Sequence, residues 1–247
     1  MCYHLQIKRA KEALERRYKV HAELEDEEET KVIHHANAFD LPLIPIVTAE
    51  ASDTLQYFRW GLIPNWVKDD QSAQEIRLKT FNARSETLTE KPSFRGAIET
   101  QRCLVPCTGF YEWQTVDGKK YPHYITTNNQ PIFSLAGLYD TWISGTTGDT
   151  IQTFTVITTA ANSMMERIHN TKKRMPVILT PETEQLWINN ELPQQQLLQL
   201  LQPYDETNMQ AHTISRLIST REANSNVEEV TTPHIYTELT NTQTSLF

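Results

Sequence analysis

Cysteine is scarce in this chain: Cys2, Cys103 and Cys107 are all it has. Three thiols cannot build a disulfide framework, and with no secretory leader they are expected to stay reduced in a cytosol. Cys103 and Cys107 stand four apart with only His123 nearby, which falls short of a zinc pattern. Both read as small buried hydrophobes, and no metal is expected. Glycine is scarce too, at seven in 247 residues. None forms the Gly-rich turn that cradles a phosphate, so no cofactor is expected. No apolar run approaches the roughly 18 residues of a membrane helix. Lys8, Arg9 and Lys11 interrupt any signal-peptide pattern. The expectation is a cytoplasmic protein without membrane contact.

Positive charge is also short, with a net charge of −8, which taken alone argues against a nucleic-acid binder. The acidic excess is uneven, however. Glu23-Leu24-Glu25-Asp26-Glu27-Glu28-Glu29 supplies six carboxylates in seven residues, most simply a solvated surface segment. The middle carries Arg84, Arg95, Arg102, Arg167, Lys172, Lys173 and Arg174, leaving room for a local basic groove.

What is present begins with Met1-Cys2. Initiator Met is normally removed before a small side chain, which would leave Cys2 with an α-amine and a thiol on adjacent carbons. Such a 1,2-aminothiol condenses with an aldehyde to an imine, and the thiol then closes a five-membered thiazolidine. Reference pKa values of about 7.7–8.0 for the amine and 8.5 for the thiol leave reactive forms of both near neutrality. The same thiol can attack an amide carbonyl with the amine as its base. The plain alternative is a chance cysteine on a frayed end.

Along the chain, Cys2 to Gln6 fits a strand. Ile7, Ala10, Leu14 and Tyr18 recur at helical spacing. Pro42 and Pro45 make Phe39–Val47 extended but unsuited to a central strand. Asp69–Leu78 reads as a loop or short helix. From Cys103 the pattern turns to strands, with Asp117-Gly118 as a hairpin turn. Ile132–Leu138 and Phe154–Thr159 extend the sheet. Ser163 and Glu166 form a capping box for a helix to about His169. Val177–Leu179 is another strand. Thr180-Pro181 opens a helix through Trp187, and a second helix spans Pro193 to Leu201. Thr213–Ile218 fits a last strand. The pattern predicts one α+β domain, mainly antiparallel sheet with peripheral helices, over 2–221, and a flexible tail over 222–247.

Three polar residues sit in settings that fit chemistry. Glu112, flanked by aromatics in Gly109-Phe110-Tyr111-Glu112-Trp113, is either on a solvent face or buried with a raised pKa. Asn82 is either a turn former or an amide that fixes a substrate or a nucleophile. His169 ends a helix, where it either complements the helix dipole or serves a site. Trp60 and Trp66, in Trp60-Gly61-Leu62-Ile63-Pro64-Asn65-Trp66, are core by default and also suit stacking on a base.

These segments form an ordered series: Met1-Cys2, Trp60–Trp66, Phe81-Asn82-Ala83-Arg84-Ser85-Glu86-Thr87, Arg102–Pro106, Gly109–Trp113, and His169 with Arg174-Met175-Pro176. The series resembles the SOS-response-associated peptidase family from Cys2 to about Ile218. The resemblance implies a β-barrel-like core and covalent shielding of abasic sites in single-stranded DNA by a monomer acting at the nucleoid. In it Cys2 is the nucleophile, Asn82 positions the sugar and amine, Glu112 shuttles protons, and His169 assists ring opening and reversal. Arg84 and Arg174 would hold phosphates, with Trp60 and Trp66 walling the cleft. Where the family commonly has Gly-Arg after Cys2, this chain has Tyr3-His4, and Lys172 and Lys173 lengthen the segment after His169. His4 would then be a weaker or pH-sensitive phosphate contact, with the two Lys replacing its charge. The ending Gln243-Thr244-Ser245-Leu246-Phe247 is similar to peptides that dock in the bacterial sliding clamp, with Gln243, Leu246 and Phe247 as anchors. Two other functions fit the residues: a thiol (auto)peptidase or amidohydrolase, and a non-covalent single-stranded-DNA binder.

Overall fold

The computed structural model describes residues 2–22, 32–220 and 223–239. In chain order its strands are β1 (His4–Ile7), β2 (His21–Ala22), β3 (Ile33–Asn37), β4 (Leu43–Thr48), β5 (Thr54–Trp60), β6 (Asn82–Arg84) and β7 (Arg102–Cys107). Then come β8 (Gly109–Val116), β9 (Lys119–Thr127), β10 (Phe133–Ile143), β11 (Thr150–Ala160), β12 (Arg174–Pro176), β13 (Ile178–Leu179) and β14 (Met209–Thr213). The helices are α1 (Lys11–Tyr18), α2 (Asp70–Arg77), α3 (Ala97–Thr100), α4 (Ser163–Ile168), α5 (Pro181–Trp187) and α6 (Gln194–Gln199).

Strands β11, β10, β7, β4 and β5 are antiparallel neighbours in that order. β5 then returns to pair in parallel with β11, Arg59 opposite Thr153 and Trp60 opposite Phe154, which closes a five-stranded ring. Closure leaves those strands no open edge at the seam. The rings of Trp60 and Phe154 stack there with centroids 5.8 Å apart. The fold is α+β with a barrel-like core and peripheral helices, as the sequence led us to expect. A second sheet, ordered β14-β9-β8-β1-β3, packs beside it and carries the amino-terminal residues.

Local chemistry explains the elements that were read correctly. Asp117 and Gly118 link β8 to β9 with φ of 48° and 73°, the left-handed pair that a two-residue hairpin turn needs. Thr180 and Thr183 cap α5 reciprocally, with Pro181 at its first position. Other expectations need correction. Ile7 ends β1, so α1 starts at Lys11. β4 is a barrel strand despite Pro45. Pro45 lies opposite Tyr57, while β7 pairs with β4 only at Val47 and Thr48, so the missing N–H costs no rung. The last strand is β14, and Arg216–Ser219 is a 3-10 turn.

The segment 223–239, expected as flexible tail, packs against the body. Val230 is fully buried, Pro233 bridges Ile214, and the Tyr236 hydroxyl donates to the Ile214 carbonyl at 2.8 Å. Helix α4 is capped by Asn162 rather than Ser163: its Oδ1 accepts from the Met165 N–H at 2.9 Å, and its Nδ2 donates to the Tyr204 carbonyl at 2.7 Å. Asn162→Ala should therefore cost about 1–2 kcal/mol in urea unfolding, the upper range for a lost cap, because a second hydrogen bond goes with it. A loss within error of zero would remove Asn162 as the cap.

Candidate active site

β1 lies between β3 and β8, with His4 opposite Asn37 and Leu5 opposite Phe110. With both edges of the strand occupied, the residue before it is held inside, and Cys2 has no exposed surface. Following the Leu5–Phe110 register two residues along each strand sets Tyr3 across from Glu112. Glu112 is buried on β8, and loss of water lifts its carboxyl to about 7. The Cys2 thiol is pushed well above its usual range, first by burial and then by the Glu112 charge. Thiol and carboxyl are thus electrostatic neighbours, and the group with a pKa near neutrality is the carboxyl.

Helix α4 packs on β8 and delivers His169 at its carboxyl end. The imidazole is buried, which pulls its pKa down to about 4 and keeps it neutral. Its Nδ1–H donates to the Arg174 carbonyl at 2.8 Å. Because a carbonyl only accepts, the proton sits on Nδ1 and the lone pair on Nε2. Nδ1 is 3.8 Å from Glu112 Oε1, too far for a hydrogen bond but close enough for each to sense the other's charge.

Asn82 stands on β6, opposite Val156 of β11. Its Oδ1 and Nδ2 are both buried without a hydrogen-bond partner among the described residues, an amide with donor and acceptor uncommitted. The preceding Phe81 ring meets Tyr3 edge-on, which ties β6 to the amino-terminal strand. Arg84 is exposed on the same strand, and its charge is felt by the Tyr3 hydroxyl. A cleft of about 1030 Å³ runs past Tyr3, Glu112 and His169, with His4, Trp113 and Lys172 also lining it.

The other expected contacts are placed differently. Arg174 is engaged by Glu86 through both guanidinium Nη atoms, and Nη2 also donates to the Thr158 carbonyl at 2.7 Å. Its guanidinium depresses the Glu86 carboxyl, and its own carbonyl holds His169. Trp60 is fully buried, with Nε1 donating to the Phe81 carbonyl, so it supports the barrel seam and walls no cleft. Trp66 is 54% exposed but lines a separate hollow with Pro92 and Arg95. His4 is no cation: burial, then His35, pull its pKa down to about 3, and its Nδ1 is 2.8 Å from His35 Nε2. Lys172 lines the cleft; Lys173 sits 3.9 Å from Glu166 and does not. Cys103 and Cys107 are buried free thiols, Cys107 pushed up to about 12 by burial. Gln243, Leu246, Phe247 and the acidic run lie outside the described residues. Among the described residues no His, Cys, Asp and Glu group is set to hold a metal, and no helix is long and apolar enough to cross a membrane.

Sequence reasoning missed Tyr3, His35, Ala223 and Ser225 as cleft residues. No local signal marks them, since they meet the site through contacts between segments distant in sequence.

A closed barrel flanked by a sheet that buries an amino-proximal thiol beside a protonatable carboxyl and a neutral imidazole defines a thiol-centred site of acid–base type. The sequence profile of SOS response associated peptidase (SRAP) matches residues 1–221. Abasic site processing protein YoqW of Bacillus subtilis (strain 168) is 43% identical over 185 residues, 74% of this chain and 79% of that protein. Abasic site processing protein HMCES of Xenopus tropicalis is 33% identical over 192 residues, 69% of this chain and 56% of that protein. A crystal structure of a Bacteroides thetaiotaomicron protein superposes with a TM-score of 0.89 at 39% identity, covering 95% of this chain and all (100%) of that one. The chain belongs to the SOS response associated peptidase family.

Proposed function

We propose that this protein captures abasic sites in single-stranded DNA by forming a thiazolidine between Cys2 and the ring-opened sugar aldehyde, once Met1 is removed. The amine attacks the aldehyde carbon, the carbonyl oxygen leaves as water, and the thiol sulfur adds to the imine carbon. One C–N and one C–S bond form, and the thiol proton ends on the ring nitrogen. The observation that carries the reading is the Glu112 carboxyl, held near pKa 7 and sensed by the Cys2 thiol. Such a group can protonate the departing hydroxyl and then take the thiol proton. His169 Nε2 accepts the sugar hydroxyl proton during ring opening, and the uncommitted Asn82 amide holds the sugar oxygen.

A buried thiol with a raised pKa favours this order over an amide-cleaving thiolate, which needs a lowered one. The relatives, abasic site processing proteins YoqW and HMCES, support the same substrate. The test incubates the protein with a single-stranded oligonucleotide carrying one abasic site and maps any denaturant-resistant adduct by mass spectrometry. We expect it on Cys2 lacking Met1, absent with intact DNA and lost in Cys2→Ala. Peptide turnover without an adduct would replace this reading with a thiol peptidase; strand binding indifferent to Cys2→Ala, with no adduct, would leave a DNA-binding module.

A further inference from the structure

Residues 223–239 lie beyond the match to the family, which ends at 221, yet they contribute to the cleft. Asn226 Oδ1 accepts from the backbone N–H groups of His34 and His35 at 2.7 and 3.1 Å, capping the outer edge of β3. One residue earlier, Ser225 Oγ is 2.7 Å from His35 Nδ1. His35 Nε2 is in turn 2.8 Å from His4 Nδ1, the two rings stack at 5.0 Å, and His4 meets Trp113 edge-on at 4.7 Å. Glu228 pairs with Lys8, and Val230 packs in the cluster of Tyr111, Ile214 and Ile218, which anchors the segment at its other end.

We propose that this segment is a working wall of the cleft, in which Ser225 acts through His35 to orient His4 and its remaining ring nitrogen toward bound DNA. The inference rests on the reading that the cleft takes single-stranded DNA. Hydrogen-bond logic permits two arrangements of the chain Ser225–His35–His4. Either Ser225 donates inward and His4 Nε2–H is a donor, or His4 Nδ1–H donates outward and Nε2 is an acceptor. In both, each imidazole is neutral and both His35 nitrogens are engaged, so His4 offers a bound strand a directed hydrogen bond and no charge. The fitting partner is a neutral edge, a base or sugar group beside the lesion, while Lys172 on the same cleft suits a phosphate. Ser225 and Asn226 are positioning residues for that contact.

The experiment measures binding of the full chain to a single strand bearing a tetrahydrofuran abasic analogue, which has no aldehyde, by anisotropy over a salt series. Ser225→Ala and Asn226→Ala should each raise Kd about tenfold, or about 1.4 kcal/mol, with an unchanged salt slope. Lys172→Ala should flatten the slope by about one phosphate. Ser225→Thr, which keeps the hydroxyl, should restore affinity, and a thermal midpoint for Ser225→Ala close to wild type would set aside simple unfolding. Unchanged Kd in Ser225→Ala and Asn226→Ala, or loss of affinity in Ser225→Thr equal to that in Ser225→Ala, would overturn the inference. If the wild type binds no single strand, the DNA reading itself fails; if it binds and both Ala variants match it, only this inference does.

Discussion

Glu112→Gln should slow adduct formation on abasic single-stranded DNA by about 10²–10⁴-fold, the usual range for a lost general acid–base group. Glutamine keeps the shape and a hydrogen-bonding head but can neither release nor take a proton. The pH profile carries the sharper signature. The attacking amine must be neutral, so the rate rises as pH climbs toward the amine pKa of about 7.7–8.0. In the proposed reaction dehydration uses Glu112 in its acid form, so the rate should fall as pH passes through about 7. With dehydration limiting, the wild type should show a bell with its maximum between about pH 7 and 8, and Glu112→Gln should keep only the rising limb. Single-turnover rates across pH 5.5–9 decide it, and an unaltered rate and profile in the variant would remove Glu112 from the chemistry.

The same carboxyl affects stability. Its folded pKa of about 7 lies above the 4.5 reference, so the protonated form favours folding. That contribution is complete below about pH 4.5 and is lost as pH rises through 7, a difference of about 3 kcal/mol. The imidazoles act in the opposite sense. His169 at about 4, His4 at about 3 and His35 at about 4 are neutral when folded, and their contribution disappears as pH falls below 6.5 toward those values. Comparing urea stability of wild type and Glu112→Gln at pH 5 and 8 isolates the carboxyl, because the imidazoles are common to both. The wild type should lose more stability than the variant on going to pH 8.

Arg102→Met should destabilise the protein by about 3–5 kcal/mol, as expected when a buried charged group is taken from its partners. Arg102 opens β7 and has no exposed surface. Among the described residues no carboxylate pairs with it. Nε donates to the Trp187 carbonyl at 2.7 Å, Nη1 to the Ile98 carbonyl at 3.0 Å and to that of Glu99, and Nη2 to the Asn189 carbonyl and Asn190 Oδ1, both at 2.9 Å. Ile98 and Glu99 belong to α3, and Trp187 closes α5, so one guanidinium caps the carboxyl ends of two helices. Those carbonyls carry the negative end of the helix dipole and have no intrahelical donor. Methionine fills much of the volume but leaves them dry and unpaired. Arg102→Lys should recover little, since an ammonium has three donors and no fork. Guanidinium chloride unfolding measures both, and a loss below 1 kcal/mol in Arg102→Met would show that water replaces the side chain.

Arg102 also shows where sequence reading stops. In the sequence it stands among cations that suggest a basic groove, and nothing beside it says that five oxygens from residues 98–99 and 187–190 surround it. Trp60 and Trp66 are alike in the sequence, yet the seam of β5 against β11 buries one and exposes the other. Pro45 argues against a barrel strand until the short β4–β7 overlap is known.

The sequence by itself determined what neighbours along the chain can enforce. Asp117-Gly118 sets a hairpin turn because both positions need left-handed backbone, and Thr180-Pro181 starts a helix through its own capping bonds. The order of short motifs pointed to the family, and the resemblance put forward Cys2, Asn82, Glu112 and His169 as candidate chemical residues. Only the tertiary structure decided the states of those groups. Burial and pairing come from strands and helices far apart in sequence. They lift Glu112 to about 7, fix the His169 proton on Nδ1, turn His4 from a supposed cation into half of a neutral pair, and bring Ala223 and Ser225 to the cleft. Desolvation and hydrogen-bond partnership depend on what surrounds a side chain in space, and that environment exists only once the barrel and its companion sheet have assembled.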